Sequence, residues 1–436
     1  MRHRIMGAVI AGAAIALACG IGTFGDEPQR PADDTFVVHE WGTFTSIGGA
    51  DGLVLEGLSR EEEALPDFVY SRTAVRDCPL RDRGWKGLEV PADHVTQKME
   101  TPVLYFHSAS ARRVRVRVDF VRGLISEWYP VSDLLGPPEG SRTDGPLDIS
   151  KVERSFLQWD VDVLPRDAPA PAEVPETSVD DPWTYAREVD ASWLRTRPRV
   201  GPDRAGPVEA ERYLFYRGLG NFAMPLVATM DRDGEVVLRN SGPRPIETAV
   251  VFEIEGDRGR IQESGVVAPG ATTRVSLGDG AAWGSVDDVE RTLQALVARR
   301  LEAQGLHVDE ARAMVRTWSR SWFRNEGTRA LWFLPRADVD ALLPLAIDPT
   351  PDTLVRVLVG RMEVIAPRVA AEVEAAIRNH GASDAVAAGA SNARLERLGR
   401  FLEPHVRHVL ARTQDDRVRA NALAILAGLR EPGTPR

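Results

Sequence analysis

A run of alternating residues, ARRVRVRVDF at 111–120, constrains the fold more than any other stretch of this sequence. Successive side chains of a β-strand point to opposite faces, so the run predicts a strand with one buried face and one exposed face. Half-buried strands of this kind are typical of antiparallel sheets. The predicted buried set is Val114, Val116, Val118 and Phe120, and the opposite set is Arg113, Arg115, Arg117 and Asp119.

Similar β-rich runs recur along the chain, and helical periodicity replaces them after residue 284. The sequence therefore predicts a mainly β protein with a helical C-terminal portion, built from antiparallel β-sandwich domains and an α+β, partly helical region. The predicted segments are a signal peptide at 1–18, an N-terminal antiparallel β domain at 35–164, a Pro-rich linker with a short helix at 165–209, an immunoglobulin-like β domain at 210–280, an α+β region at 284–385 and a helical hairpin at 390–430.

The first residues have the pattern of a secretion signal. A basic start, MRHR, precedes an apolar run that ends at Ala16-Leu17-Ala18. This pattern predicts an extracytoplasmic protein, located in the periplasm, at the cell surface or in the medium. The apolar run is too short to span a bilayer. Because Cys19 follows directly, two processing routes stay open: ordinary cleavage, or lipidation of Cys19, which would be the protein's one membrane anchor.

The charge of the chain argues against nucleic-acid binding, and its cysteine content argues against a disulfide bond. The chain has 64 acidic and 54 basic residues and a formal net charge of −10. Since binding to phosphates needs a basic surface, nucleic acid is excluded as a partner. The only cysteines are Cys19 and Cys78. Processing at Cys19 would leave Cys78 without a partner, so the fold is expected to rest on apolar burial rather than on a disulfide.

Acidic residues beside tryptophan are the first candidates for a site. Indole rings stack on flat ligands such as sugars, and glycosidases use two carboxylates about 5 to 9.5 Å apart. Glu40 and Glu127 are the predicted pair of this kind. The alternative is that each tryptophan belongs to the core and each acid to a strand end. The candidate catalytic residues are Glu40, Glu100 and Glu127, and the candidate ligand-binding residues are Trp41, Trp128, Tyr129 and Arg217.

A divalent metal site is a second candidate. His39, His94 and His107, together with Glu100, supply the ligand types that Zn²⁺ or Fe²⁺ prefers. No H-E-x-x-H, C-x-x-C or H-x-H spacing supports the set, so isolated structural histidines are the alternative. The neighbours His39 and Glu40 should point to opposite faces of their strand, which keeps them from acting on one atom unless a bulge intervenes.

Several phrases carry a family resemblance. They are VHEWGTFTS, METPVLYFHS, VDFVRGLISEWYP, ERYLFYRGLG, EARAMVRTWSRSWFRNEG and LWFLPR, which span most of residues 36–336. In these phrases the chain resembles a family of secreted bacterial proteins that has no known activity. The resemblance implies a secreted protein and assigns no role to any residue. The segment TPVLYFHSASARRVRVRVDFVRGLISEWYP also resembles a β-domain of envelope proteins that carry a P-V-I-Y-L-Y-P phrase.

Two functions are therefore open. The first is a cell-envelope protein that acts as a binding or structural module for a glycan or protein ligand. The second is a secreted hydrolase, metal-dependent or glycosidase-like, with a carboxylate and histidine site in the N-terminal β domain. An enzyme predicts a cleft in which two acids, or an acid and two histidines, converge. A binding module predicts exposed aromatic side chains without such convergence.

Overall fold

The structure, a computed structural model, describes residues 34–60, 65–72, 92–137, 147–179, 181–197, 207–278, 282–382 and 384–430. The predicted signal peptide, Cys19 and Cys78 lie outside the described residues. The described residues belong to one compact unit. No helix among them is both long and apolar enough to cross a membrane.

Among the described residues, strands dominate up to residue 364 and helices dominate the C-terminal part. The strands are β1 (Val37–Gly48), β2 (Tyr70–Ser71), β3 (Ala92–Asp93), β4 (Gln97–His107), β5 (Arg112–Val121), β6 (Gly123–Tyr129), β7 (Leu134–Gly136), β8 (Leu147–Asp148), β9 (Arg154–Val163), β10 (Leu194–Thr196), β11 (Ala210–Glu211), β12 (Tyr213–Gly220), β13 (Leu226–Met230), β14 (Val236–Asn240), β15 (Ala249–Glu255), β16 (Arg258–Glu263), β17 (Thr272–Val275), β18 (Gly284–Ser285), β19 (Gly327–Phe333), β20 (Leu345–Asp348) and β21 (Thr353–Val364). The helices are α1 (Pro182–Arg187), α2 (Val286–Ala303), α3 (Val308–Trp322), α4 (Arg336–Leu342), α5 (Pro367–Asn379), α6 (Ala385–Glu396), α7 (Leu402–Arg412) and α8 (Asp416–Arg430).

The largest sheet of the described chain has ten strands, in the order β18-β16-β15-β19-β21-β1-β4-β12-β6-β2. Strand β1 lies near its middle, antiparallel to β4 and parallel to β21. The other pairings in this sheet are antiparallel. All twelve residues of β1 are buried, which fits a central strand covered on both faces.

A second sheet carries the alternating strand found in the sequence. It has the order β11-β10-β9-β5-β20, with β7 also paired to β9. Val114, Val116, Val118 and Phe120 of β5 are fully buried, and this confirms the burial pattern predicted from their alternation. One hydrophobic cluster joins this sheet to the ten-stranded sheet and to α2 and α3. The fold class predicted from the sequence, mainly β with a helical C-terminal region, is confirmed.

The strands at 210–280 are shared between sheets. Strands β12, β15 and β16 belong to the ten-stranded sheet, whereas β13, β14 and β17 form a sheet of their own. The ten-stranded sheet therefore continues across the boundaries at 164 and 280 that the sequence predicted, because β1, β4 and β6 pair with strands from later in the chain. Strand pairing thus joins the segment predicted to be immunoglobulin-like to the segments before and after it.

The C-terminal helices have a smaller core of their own. Helices α5, α7 and α8 contribute Val373, Ile377, Val406, Val418 and other apolar residues to it. Arg400, in the turn before α7, reaches back to Glu100 on β4. A buried ion pair thus connects this helical region to the ten-stranded sheet.

Candidate metal centre

Three histidines and a glutamate meet where α3 begins against one face of the ten-stranded sheet. Glu310 Oε2 lies 2.7 Å from His39 Nδ1, and Glu310 Oε1 lies 2.9 Å from His107 Nε2. The ring centroid of His307 is 4.6 Å from that of His39 and 4.6 Å from that of His107. With one ligand atom taken from each residue, the four atoms all lie within 4.8 Å of one another. We call this group the histidine cluster.

Strand pairing places two members of the histidine cluster side by side. His39 on β1 lies opposite Tyr105 on β4, and His107 lies opposite Val37. Residues opposite each other in an antiparallel pair share a face, so His39 and His107 are diagonal neighbours on the same face of the sheet. Their ring centroids are 5.3 Å apart.

The start of α3 supplies the other two members. Gly305, with φ +103°, follows the end of α2 in a conformation that suits glycine. His307 is the N-cap of α3, and Glu310 lies in the first turn. The Glu310 carboxylate accepts the backbone N–H of His307 at 2.8 Å. The helix dipole favours an anion at this end. The local backbone therefore holds Glu310 against the two strand histidines.

The cluster is buried and keeps its carboxylate ionised. Burial by itself raises the pKa of Glu310, but His39 and His107 lower it by more, well below the usual range. Burial lowers the pKa of His307 to about 4, and the nearby imidazoles add to this effect although Glu310 opposes it. His307 is therefore neutral at pH 7. A neutral imidazole and a carboxylate are the forms in which these side chains bind metals.

Two residues of the predicted metal set lie elsewhere. His94 precedes β4 and pairs with Glu56 at 2.9 Å, with half of its side chain exposed. His107 stands at the other end of β4, whose eleven residues span roughly 35 Å at about 3.3 Å each. Glu100 accepts hydrogen bonds from Arg400 and Thr45 and is not in the cluster. The structure thus brings together His39 and His107 and replaces His94 and Glu100 with His307 and Glu310.

Glu40, a candidate catalytic residue, lies in a closed ion pair. Its Oε2 is 2.5 Å from Arg356 Nε, and its Oε1 accepts a hydrogen bond from the Tyr216 hydroxyl. Glu40 and Arg356 are both buried. Because His39 contacts α3 and Glu40 contacts Arg356, the two neighbours face opposite sides of the sheet, as predicted.

Glu127, the other half of the predicted glycosidase pair, faces away from Glu40. Tyr216 donates to Glu40 and lies opposite Trp128, so these three residues share one face of the sheet. Glu127, the neighbour of Trp128 on β6, therefore points to the other face. The Glu127 carboxylate instead accepts hydrogen bonds from Ser126 and, at 3.5 Å, from Ser71.

The candidate ligand-binding residues divide into two groups. Trp41 and Arg217 line one cavity together with Glu100. Trp128 and Tyr129 are buried and pack on Tyr70 with near-parallel rings, outside the lining of that cavity. Trp128 therefore belongs to the core, which was the alternative interpretation of a tryptophan beside an acid. Trp41 lines the cavity.

His307 and Glu310 were not in the predicted site. They form the sequence H-x-x-E, two residues after Gly305, and the spacing of three places His307 at the N-cap and Glu310 in the first turn of α3. That spacing indicates neighbouring side chains on a helix. It could have suggested a half-site, but nothing in the sequence shows that this turn packs on His39 and His107.

No protein-family model matches the chain, and no curated protein matches it. The family resemblance drawn from the sequence phrases therefore stays a prediction.

Proposed function

We propose that this protein is an extracytoplasmic binding module that holds one divalent transition-metal ion in the histidine cluster. His39, His107, His307 and Glu310 are the ligands. The observation that carries the proposal is the convergence of their four ligand atoms within 4.8 Å. Because these residues come from two strands and a helix start, a bound ion would fasten α3 to β1 and β4.

The donor set fits zinc best. Three imidazole nitrogens and one carboxylate oxygen complete a tetrahedral shell, with bonds of about 2.0–2.2 Å. Such bonds place the ligand atoms roughly 3.3 Å from each other. The two hydrogen-bonded pairs in the cluster are at 2.7 and 2.9 Å, so small side-chain rotations open the space for an ion.

A hydrogen-bonded triad without metal accounts for only part of the cluster. Glu310 bonded to His39 and His107 would satisfy both carboxylate oxygens. It leaves a third imidazole, His307, packed against both rings. A metal gives His307 a role and explains why four ionisable groups share one buried place.

A binding role suits this site better than hydrolysis. Catalytic zinc keeps one coordination position open to water or substrate, usually with three protein ligands. Here four protein ligands converge, and three of them, His39, His107 and Glu310, are almost fully buried. The cavity at Trp41 includes none of the four in its lining. The location outside the cytoplasm rests on the N-terminal signal pattern, and an envelope glycan or a protein is the expected partner.

Metal analysis of the purified protein tests this proposal. The untagged protein, loaded with Zn²⁺ and passed through a desalting column, should retain about one ion per chain. His107→Ala should retain far less. His94→Ala is the matched control, because it removes a histidine of the same strand region that lies outside the cluster, and it should retain as much as the wild type. Retention of no ion by the wild type, or equal losses in both variants, would contradict the proposal.

A further inference from the structure

The two halves of the histidine cluster are joined by a short segment that contributes no ligand. His39 and His107 come from β1 and β4, whereas His307 and Glu310 come from the start of α3. Residues 190–192, between α1 and β10, are hydrogen-bonded both to β4 and to the start of α3. We call residues 190–192 the bridging segment. They belong to the stretch that the sequence predicts as a Pro-rich linker, so part of that linker has a defined place beside the cluster.

One end of the bridging segment is attached to α3. The backbone N–H of Asp190 donates to Asp309 Oδ2 at 2.8 Å. The other oxygen, Asp309 Oδ1, accepts the backbone N–H of Glu310 at 3.2 Å. Asp309 lies between His307 and Glu310 in the sequence, so its carboxylate ties the turn that carries both helix ligands to the bridging segment.

The other end is attached to β4 on both sides of His107. The backbone N–H of Ser192 donates to the Phe106 carbonyl at 2.8 Å. The Ser192 hydroxyl oxygen accepts the backbone N–H of Ser108 at 3.2 Å. Phe106 and Ser108 are the chain neighbours of His107, so these two bonds hold the backbone of that ligand. Ser192 and Ser108 are both buried, and loss of the hydroxyl would leave a buried N–H unpaired.

The bridging segment is also held by contacts that do not involve the cluster. The buried Ala191 carbonyl accepts a hydrogen bond from Arg212 Nη1 at 2.6 Å. In α1, just before the segment, the Ala186 carbonyl accepts a hydrogen bond from the Tyr105 hydroxyl at 2.9 Å. The segment therefore has a fixed position of its own and can serve as a support for other parts of the chain.

A support of this kind is needed because the ligands cannot hold one another once an ion is bound. Without the ion, Glu310 is hydrogen-bonded to His39 and His107, which join the helix to the strands. Zinc would separate the ligand atoms to roughly 3.3 Å and replace these hydrogen bonds with metal bonds. The bonds of the bridging segment use no ligand side chain, so they stay in place in both states.

We propose that the bridging segment positions the two halves of the metal site relative to each other, with Asp309 and Ser192 as its positioning residues. This inference rests on the proposed zinc-binding function and assigns roles to two residues that are not among the four ligands. The two attachments act in series, because the segment resists a displacement of α3 from β4 only while both of its ends are held.

Zinc affinities of variants, measured by competition with a chromophoric chelator, test this inference. Asp309→Ala should bind zinc about tenfold more weakly, at the lower end of the effect of residues that orient metal ligands. Asp309→Asn keeps an oxygen that accepts the same N–H groups and should recover most of the loss. Asp133→Ala is the matched control, because Asp133 also accepts a backbone N–H, that of Asp160 at 2.6 Å, but on β9. It should bind zinc like the wild type.

A double variant separates positioning through the segment from two unrelated losses of stability. Ser192→Ala removes the acceptor of one buried N–H and should weaken zinc binding about threefold. Because the attachments act in series, Asp309→Ala combined with Ser192→Ala should lose about tenfold, whereas independent effects would multiply to about thirtyfold. Circular dichroism without zinc, at the temperature of the assay, verifies that each variant is folded.

The outcomes distinguish this inference from the zinc site itself. A wild-type protein that binds no zinc would overturn both. If the wild type binds zinc, the inference alone is overturned by an unchanged affinity in Asp309→Ala or in Ser192→Ala, or by an equal loss in Asp133→Ala. It is also overturned if Asp309→Asn recovers nothing, or if the effects in the double variant multiply. Ser192→Ala, the milder change, decides the question if Asp309→Ala does not fold.

Discussion

Glu40 and Arg356 lie directly opposite each other on the parallel strands β1 and β21 and form a buried ion pair. The Tyr216 hydroxyl donates to the same carboxylate, and Arg356 also donates to Asp340 and to the Leu343 carbonyl. The network pairs both oxygens of Glu40, while Arg356 Nη2 is buried without a hydrogen-bond partner among the described residues. The ion pair therefore connects β1 to β21 at this register position.

Glu40→Gln should destabilise the fold by about 3–5 kcal/mol, because it leaves the buried Arg356 charge with only the half-exposed Asp340 as its anion. Urea unfolding measures the loss. Glu56→Gln is a matched control on an exposed carboxylate and should change stability by less than about 0.5 kcal/mol. A Glu40→Gln protein as stable as the wild type would show that Glu40 is not structural.

Removal of the metal should lower the melting temperature. A ligand that binds only the folded state stabilises it by mass action, and for tight zinc the loss on chelation corresponds to roughly 5–10 °C. Differential scanning calorimetry with and without a chelator measures this. Glu310→Gln should melt at the same temperature in both conditions, whereas His94→Ala should respond to the chelator like the wild type. A chelator response in Glu310→Gln equal to that of the wild type would contradict the assignment of Glu310.

The chelated protein should lose stability as the pH falls from 6.5 toward 4. His307 has a pKa lowered from 6.5 to about 4, and burial does the same for His405. Below pH 6.5 the unfolded chain takes up protons at these positions that the folded chain does not bind, so acid favours unfolding. Glu100, with a pKa lowered to about 2, adds a further loss only below pH 4.5.

Urea unfolding of the chelated protein at pH 7 and pH 5 measures this dependence. His307→Gln should reduce the stability difference between the two pH values, since its contribution is gone while those of His405 and His408, whose pKa values burial also lowers, remain. His380→Gln, at a histidine between α5 and α6, is the control and should keep the full difference. An unchanged difference in His307→Gln would show that His307 titrates alike in both states.

Gly360→Ala should destabilise the central sheet. A Cβ at Gly360 would lie 2.2 Å from the Trp332 ring, which packs directly over it across β19 and β21. Overpacking of this kind costs about 1–3 kcal/mol. Gly389→Ala, in α6 with open space around it, is the matched control and should raise stability by roughly 0.5–1 kcal/mol. Chemical denaturation of both variants measures the free energy of unfolding, which should fall for Gly360→Ala and rise for Gly389→Ala.

Local pattern was enough to predict the main elements. The Arg/Val alternation predicted β5, and the change to helical periodicity after residue 284 predicted the start of α2. These signals are local because each depends on the period of a single strand or a single helix. The parallel pairing of β1 with β21 has no such signal, so the continuity of the sheet across the predicted domains was missed.

Half of the candidate metal site was in the sequence prediction. His39 and His107 were identified by residue type, but His94 was grouped with them because it is close in sequence. Residues close in sequence can be far apart in space when an extended strand lies between them. His94 precedes β4 and His107 ends it, so the length of the strand separates them. The helical half, His307 and Glu310, reaches the site only through tertiary packing of α3 on the sheet, which a single sequence does not encode locally.

The position of β1 has a consequence for how the chain is made. Its hydrogen-bonding edge toward β21 has no neighbour until residues 353–364 have been synthesised, and 316 residues separate Glu40 from Arg356. A nascent chain thus presents an apolar strand with one open edge for a long time, and open edges recruit wrong strands from other chains. Closing so long a loop is also slow. The risk of aggregation is therefore greatest during synthesis and folding. Holdase chaperones present at that stage would have their greatest effect on the yield of folded protein.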